Sequence, residues 1–153
     1  MKFKQGKYTV KNPHKYIGDI NNVIYRSSWE LRFLKWCDTR EQVVSFSSEE
    51  IVVPYLYECD NKVHRYFPDF LVVLKQGEKT ETLLVEIKPH AQCLKPIPPK
   101  TNNRKAHARY SSEIETYIKN QNKWRHADEY AKQRGWRFVI LTERHLFNKV
   151  LKA

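Results

Sequence analysis

The sequence predicts an α/β fold in which helices flank a central mixed β-sheet. Three observations support this prediction. Two apolar segments of strand length, 66–74 and 82–88, are separated by a short turn, which favours an antiparallel hairpin. Apolar residues at helical spacing then extend over 112–135, and an apolar run at 136–142 favours another strand. Because a helix joins two of these strands, a parallel crossover is permitted and the sheet can be mixed.

The first helix is predicted over residues 27–38, with a serine at its start. Glu30 lies on its apolar face by three- and four-residue spacing, together with Phe33, Leu34 and Cys37. Glu30 also follows Ser27 by three residues, which is the spacing of a capping box. Two interpretations of Glu30 therefore stay open: a helix cap, or an acid that faces a functional site.

The other elements are predicted from short apolar runs and the residues that interrupt them. Residues 43–46 and 51–57 are predicted strands, and Pro54 in the second indicates an edge strand or a bulge. The strand at 136–142 is predicted to be central because it is mostly apolar. A short helix is predicted within 143–153.

Two segments differ from the rest in composition. Residues 1–25 are basic and weakly patterned, and residues 89–109 contain four prolines, five Lys or Arg residues and no acid. The second segment is predicted to be a long loop. Since 153 residues suit one domain, we predict a single domain over 1–153 that includes both basic segments.

The formal net charge of +11, with 13% aromatic residues, favours a nucleic-acid partner. A membrane surface or an acidic protein would also attract such a charge. The three cysteines have no zinc-binding spacing and suit reduced thiols in a cytosol. No signal peptide, membrane span, glycine-rich phosphate loop, G-x-S-x-G or HExxH motif occurs in the sequence. We therefore expect a soluble, cytoplasmic protein, and the missing phosphate loop disfavours hydrolysis of nucleoside triphosphates.

Three polar residues interrupt or end the two strands of the predicted hairpin. Asp69 lies in one strand, while Glu86 and Lys88 share a face of the other. If these faces align, the two carboxylates can bind a hard cation such as Mg²⁺, and the carbonyl of Ile87 can add an oxygen ligand. Lys88 can orient a water molecule, lower its pKa or hold a phosphate oxygen. A solvated strand face is the alternative, but both acids interrupt otherwise apolar runs.

Further candidates come from the second helix and the basic loop. Gln121 lies on the predicted inner stripe, where it can bind a metal-coordinated water, the phosphate or only the backbone. Lys123 lies off that stripe and can contact DNA phosphate or simply be solvated. The loop either contacts DNA phosphates or is a mobile solvated segment. Its candidate DNA-binding residues are Lys95, Lys100, Arg104, Lys105 and Arg109.

Pro68-Asp69, followed after sixteen residues by Glu86-Ile87-Lys88, resembles the PD-(D/E)xK nuclease superfamily. The segment Ser28–Phe33 is similar to the first helix of its TnsA-type members. This resemblance implies a restriction-endonuclease-like core and a Mg²⁺ cofactor, with Mn²⁺ as a substitute. It also implies roles for five side chains: Asp69, Glu86 and Glu30 as metal or water ligands, Lys88 as the catalytic lysine, and Gln121 as the polar helix residue.

A wider similarity links the chain to the head-completion nucleases of T-even bacteriophages, through Tyr25–Glu30, Tyr66–Asp69 and Glu86–His90. It implies a DNA endonuclease that acts after DNA packaging and before tail attachment. The implied partners are double-stranded DNA and phage head or portal proteins, without a membrane. The implied location is the host cytoplasm during infection, or the virion. Two alternatives stay open: a non-enzymatic DNA- or portal-binding structural protein, and an end-nicking transposition nuclease.

Overall fold

The computed structural model describes residues 5–147. Its strands are β1 (Gly6–Lys7), β2 (Ile24–Tyr25), β3 (Val43–Ser48), β4 (Val53–Tyr57), β5 (Lys62–Tyr66), β6 (Phe70–Gln76), β7 (Lys79–Ile87) and β8 (Arg137–Leu141). Its α-helices are α1 (Ser28–Thr39), α2 (Arg104–Gln133) and α3 (Glu143–Leu146). Among these described residues, no helix combines the length and apolar character needed to cross a membrane.

The central sheet is mixed and has the strand order β3-β6-β7-β8. The pairs β3–β6 and β6–β7 are antiparallel, and β7–β8 is parallel. The parallel pair is joined through α2, so the predicted crossover is confirmed. Strand β8 was predicted to be central, but within 5–147 it pairs with β7 alone and lies at the edge. It is apolar because residues on both of its faces pack into the two hydrophobic clusters of the protein.

Helix α1 covers one face of the sheet. Ser27 caps it by accepting a hydrogen bond from the backbone N–H of Glu30, as predicted. Phe33, Leu34 and Cys37 are buried, and the ring centroid of Phe33 lies 4.9 Å from that of Phe70 on β6. The apolar face that the sequence predicts therefore positions Glu30 at the start of a helix fixed on the sheet.

The hairpin β6–β7 lies in the middle of the sheet and turns at Gly77, which has a φ of 62°. Strand β6 begins at Phe70, so the predicted single strand over 66–74 is divided. Tyr66 belongs to β5, and the connection Phe67–Asp69 separates the two strands. Pro68, which is buried, has no N–H to donate to a neighbouring strand, and this explains the break.

A second hairpin, β4–β5, packs with α2 on the other face of the sheet. Strand β4 was predicted from the sequence but β5 was missed, because Lys62–Tyr66 is mostly polar and exposed. Tyr55, Tyr57 and Tyr66 turn inward from this hairpin and are buried. They form part of the second hydrophobic cluster, together with Trp124 on α2.

Helix α2 begins at Arg104, so the prediction of a loop over the whole of 89–109 is wrong for its last residues. The side chain of Asn103 caps the helix by accepting a hydrogen bond from the N–H of Lys105. Because the last proline of the segment is Pro99, nothing after it prevents helix formation. Arg104, Lys105 and Arg109 consequently lie on a helix and not in a loop.

The buried stripe of α2 differs from the predicted one at Gln121, which is exposed. Trp124, Ala127 and Ala131 are buried. At 3.6 residues per turn, Gln121 and Ala127 lie about 60° to opposite sides of Trp124. The helix packs on its Ala127 side, and Gln121 is therefore turned toward solvent.

The segment before α1 packs against the end of that helix. The buried Nζ of Lys15 donates hydrogen bonds to the carbonyls of Cys37, Asp38 and Arg40. Asp38 in turn accepts hydrogen bonds from the hydroxyl of Tyr8 and the backbone N–H of Asn12. The described residues of the first 25 thus form an ordered cover on the α1 side. The predicted helix within 143–153 is α3 as far as Leu146, and residues 148–153 lie outside the described part.

Candidate active site

Acidic residues gather where β3 ends, β6 begins and β7 ends. These strand ends lie side by side at one end of the sheet, because β6 runs antiparallel to both β3 and β7. Phe70 is paired with Val85, which places Asp69 opposite Glu86. The backbone N–H of Ile87 donates a 2.7 Å hydrogen bond to Asp69 Oδ2. The predicted alignment of Asp69 with Glu86 is therefore present.

Glu86 is buried, with 7% of its surface exposed, and has partners at both oxygens. The hydroxyl of Tyr66 donates a hydrogen bond to its Oε1 at 2.7 Å. Lys88 Nζ lies 3.5 Å from its Oε2. The side chain of Lys88 is partly exposed, so its ammonium group is paired with Glu86 and open to solvent.

Glu30 and Asp69 share a carboxylate cluster with a residue that sequence reasoning missed, Glu49. Carboxylate oxygens of the three lie within 4.8 Å of one another. Ser27 Oγ donates a 3.2 Å hydrogen bond to Glu30 Oε2, so Glu30 has a role at the helix cap and also lies in the cluster. Arg26 forms a bidentate ion pair with Glu49, with Nε 2.9 Å from Oε1.

Glu49 was missed because Glu49-Glu50, directly after a strand, resembles an ordinary solvated turn in the sequence. Its backbone has a φ of 54°, which is rare for a residue with a side chain. Its N–H donates a 3.0 Å hydrogen bond to the carbonyl of Asp69. The signal that would have revealed it is the β3–β6 pairing, which brings the residue after Ser48 next to Asp69.

The electrostatics of the site favour an added positive charge. Burial raises the pKa of Asp69 well above its usual range, and the charges of Glu86 and Glu30 raise it further. Burial also raises the pKa of Glu86, although Lys88 opposes this shift. The pKa of Glu30 is raised by burial and by the charges of Glu49 and Glu86. A bound cation would stabilise the charged form of these carboxylates, so the cluster is a favourable place for a cation.

Lys123 is the residue of α2 that reaches this region. Its Nζ lies 5.5 Å from the ring centroid of Tyr66. Burial lowers its pKa, which the charge of Glu86 partly restores. Lys123 is therefore partly buried and not fully solvated, and full solvation was one of the two interpretations of its sequence position. Gln121, on the same helix, is exposed.

The other predicted DNA-binding residues are all exposed. Lys95 and Lys100 lie in the segment before α2, and Arg104, Lys105 and Arg109 lie on its first turns. Arg109 is near Glu113 at 3.8 Å, an exposed pair that leaves the guanidinium accessible. These side chains are placed on the surface and outside the carboxylate cluster.

The donor set fits a hard divalent cation. Such ions take carboxylate and carbonyl oxygens as ligands, and the site offers several carboxylates with raised pKa values. In an extended strand the N–H and C=O of one residue point to the same side. Because the N–H of Ile87 is hydrogen-bonded to Asp69, its carbonyl oxygen also points toward Asp69 and can serve as a further metal ligand.

Comparison with known proteins identifies the fold. The model of the TnsA-like endonuclease N-terminal family matches residues 40–143. The chain belongs to the TnsA-like endonuclease family. It is also 36% identical over 138 residues to the head completion nuclease of Enterobacteria phage T4, a match that covers 90% of each chain.

The TnsA-like match confirms the predicted restriction-endonuclease-like fold, in which helices flank a central mixed sheet. The matched segment contains Asp69, Glu86, Lys88 and also Glu49. Glu30 precedes it, so its place in the site is supported by the geometry of the cluster.

Proposed function

We propose that this protein is a metal-dependent DNA endonuclease that hydrolyses phosphodiester bonds. One observation carries the proposal: the register of β6 and β7 places Asp69 opposite Glu86, Asp69 accepts a hydrogen bond from the Ile87 N–H, and the Lys88 ammonium lies 3.5 Å from Glu86 Oε2. Membership of an endonuclease family supports it. DNA is the substrate class that a formal charge of +11 suits.

We assign Asp69, Glu86 and Glu30 as the side chains that hold the cation, with the Ile87 carbonyl as a further ligand. Glu49 joins this set because its carboxylate lies within 4.8 Å of those of Glu30 and Asp69. Mg²⁺ is the proposed ion and Mn²⁺ its substitute, since both accept oxygen ligands. When bound, the cation offsets negative charge on the scissile phosphate and makes a water molecule more acidic.

The protein's own groups then position the reactants. The Lys88 ammonium has three N–H donors, lies 3.5 Å from Glu86 Oε2 and belongs to a partly exposed side chain. We assign it to orient the attacking water or to bind a phosphate oxygen. Tyr66 fixes the Glu86 carboxylate through its hydroxyl, and Lys123 adds positive charge on the α2 side. These contacts hold the groups in place before DNA arrives, which lowers the cost of reaching the transition state.

We further propose that the protein acts in phage head completion, after DNA packaging and before tail attachment. The support is its 36% identity over 90% of the chain to a head completion nuclease. In this role its partners are double-stranded DNA and head or portal proteins, in the host cytoplasm or on the virion. A non-enzymatic DNA- or portal-binding role is the second candidate, favoured by the exposed basic side chains before and at the start of α2.

Cleavage of supercoiled and linear duplex DNA tests the first proposal. Purified protein is compared in Mg²⁺, Mn²⁺ and EDTA, with Asp69→Ala alongside the wild type. Cutting that requires metal and disappears in Asp69→Ala is expected. Wild-type rates in Asp69→Ala would refute the site, and DNA binding without any cutting would favour the structural role.

A further inference from the structure

A groove lies between residues 91–97 and helix α2, beside the candidate active site. Its volume is about 720 Å³, which is within the range of about 300–1,000 Å³ for ligand sites. Leu94 and Ile97 line it from the loop, and Tyr117 and Asn120 line it from the helix. These four residues lie outside the carboxylate cluster.

Each wall of the groove lies close along the chain to a lysine of the candidate active site. On α2, Asn120 is buried and lies about one turn before Lys123. On the loop side, the lining begins at Ala91, three residues after Lys88. The groove therefore lies within one helical turn or three residues of Lys123 and Lys88, the two lysines of the proposed cleavage centre.

The lining combines apolar surface with polar groups. Ile97 is 82% exposed and Leu94 is 55% exposed. They share the groove with the aromatic ring of Tyr117 and with the amides of Gln92 and Asn120. Aromatic and apolar walls suit the faces of nucleobases, and amides suit their hydrogen-bonding edges.

The charge around the groove is complementary to a phosphate backbone. Lys95 lines the groove and Lys100 follows it, while residues 89–112 contain no acid. Glu113 lines the groove from α2, and its Oε1 lies 3.8 Å from Nε of Arg109. Cations therefore dominate the loop wall, where the phosphates of a bound strand would lie.

We propose that this groove binds an unpaired DNA strand next to the cleavage centre, with bases against Tyr117, Leu94 and Ile97. A blunt duplex keeps its base faces stacked inside and presents phosphates outward, so it leaves these walls unused. The inference rests on the proposed nuclease function and adds the form of the substrate. A duplex with a single-stranded tail is bound in preference to a blunt one.

Fluorescence polarisation in EDTA, at one fixed salt concentration, tests this inference without cleavage. Three labelled DNAs share one duplex: a blunt form, a form with a thymidine tail, and a form whose tail has the same phosphates but no bases. The wild type is expected to bind the thymidine-tailed DNA about tenfold more tightly than the blunt form. The tail without bases should bind close to the blunt form.

Ile97→Ser and Tyr117→Ala are expected to abolish the preference and keep the affinity for blunt duplex. Val44→Ser is the matched control, because Val44 is an exposed apolar residue on β3. Ile97→Ser keeps the test valid if Tyr117→Ala does not fold, since the Ile97 side chain is mostly solvated.

Equal binding of the three DNAs by the wild type would overturn the inference, and is the result expected if the groove holds an apolar protein segment instead. A preference that persists in both folded groove variants would also overturn it. Failure of the nuclease proposal is distinguishable, because it appears as an absence of metal-dependent cutting by the wild type and not as a change in polarisation.

Discussion

The hydroxyl of Tyr66 donates a 2.7 Å hydrogen bond to Glu86 Oε1, and both residues are buried. Tyr66 ends β5 in the outer hairpin, whereas Glu86 lies in the central sheet. Burial raises the pKa of Tyr66, as does the charge of Glu86, so the phenol stays protonated and remains a donor. This one bond connects the β4–β5 hairpin to the candidate active site.

Tyr66→Phe removes that donor and leaves a buried carboxylate oxygen without its partner. We expect the free energy of unfolding at pH 8 to fall by about 1.5–3 kcal/mol, the usual contribution of a hydrogen bond to a charged group. Urea unfolding in EDTA measures it. Tyr55→Phe is the control, because Tyr55 is a buried tyrosine of the same hairpin. An equal loss in both variants would contradict a specific role for the Tyr66–Glu86 bond.

Lys88→Ala is expected to reduce DNA cleavage by at least about 100-fold, because the group that orients the water or the phosphate is removed. Thermal stability should fall, because buried Glu86 loses the partner of its Oε2, whereas duplex binding by the folded variant in EDTA should change little. Single-turnover cleavage measures the effect. Lys75→Ala, which alters an exposed lysine on β6, should cut DNA at the wild-type rate. Normal cleavage by Lys88→Ala would remove this residue from the mechanism.

The raised pKa of Asp69 makes stability depend on pH. In the metal-free protein the folded state retains a proton that the unfolded state releases above about pH 4. The free energy of unfolding should therefore fall as pH rises through this raised pKa. Asp69→Asn is expected to lessen that decline and to have a higher Tm than the wild type at pH 8 in EDTA.

Mg²⁺ or Mn²⁺ should raise the Tm of the wild type more at pH 8 than at pH 5, because metal and protons compete for the same carboxylates. Asp69→Asn should show little of this response. Thermal unfolding at the two pH values, with metal or EDTA, provides the comparison. A metal-induced rise of equal size at both pH values would count against a site made of Asp69 and its neighbours.

Glu49 and Arg26 should have opposite effects on metal affinity. Glu49→Gln removes a proposed ligand and is expected to weaken Mn²⁺ binding about tenfold. Arg26→Ala is expected to strengthen it, because the guanidinium competes with the metal for the Glu49 carboxylate. Isothermal titration calorimetry measures both, with Arg32→Ala as a control at an exposed arginine of α1. Unchanged affinity in Glu49→Gln would exclude Glu49 from the ligand set.

Neutralising Lys100, Arg104, Lys105 and Arg109 together should weaken duplex binding and flatten its salt dependence. The slope of log affinity against log salt changes by about 0.9 for each phosphate that the protein no longer neutralises. Binding titrations in EDTA over several salt concentrations measure it. A phage-assembly assay separates the two proposed roles: a purely structural factor tolerates Asp69→Ala and fails with the quadruple variant, whereas a required nuclease fails with Asp69→Ala.

The elements that sequence could predict are those with a strong local signal. Helix α1 has a serine cap and an apolar stripe, and the β6–β7 hairpin has two apolar runs and a glycine turn. The alignment of Asp69 with Glu86 followed from strand alternation, which the observed register matches. The N-terminal start of α2 was missed because proline and basic residues upstream concealed the Asn103 cap.

The residues that were missed depend on contacts between distant segments. Tyr66 reaches Glu86 only because the β4–β5 hairpin packs on the sheet, and β5 itself is too polar to be recognised as a strand. Glu49 reaches Asp69 through the β3–β6 pairing. Gln121 was misplaced because its orientation depends on which side of α2 packs, a matter that apolar spacing left open.

The register of the β6–β7 hairpin has a consequence for how this protein can change. Seven residue pairs connect the glycine turn to Phe70 and Val85, next to the acids. A slip of one residue would turn the side chain of Asp69 or Glu86 through to the α1 face of the sheet. Insertions or deletions at Gly77, at the far end of the hairpin, would thus shift the register and separate Asp69 from Glu86. A surface turn seven residue pairs away thus sets which residues of β6 and β7 face each other at the two carboxylates.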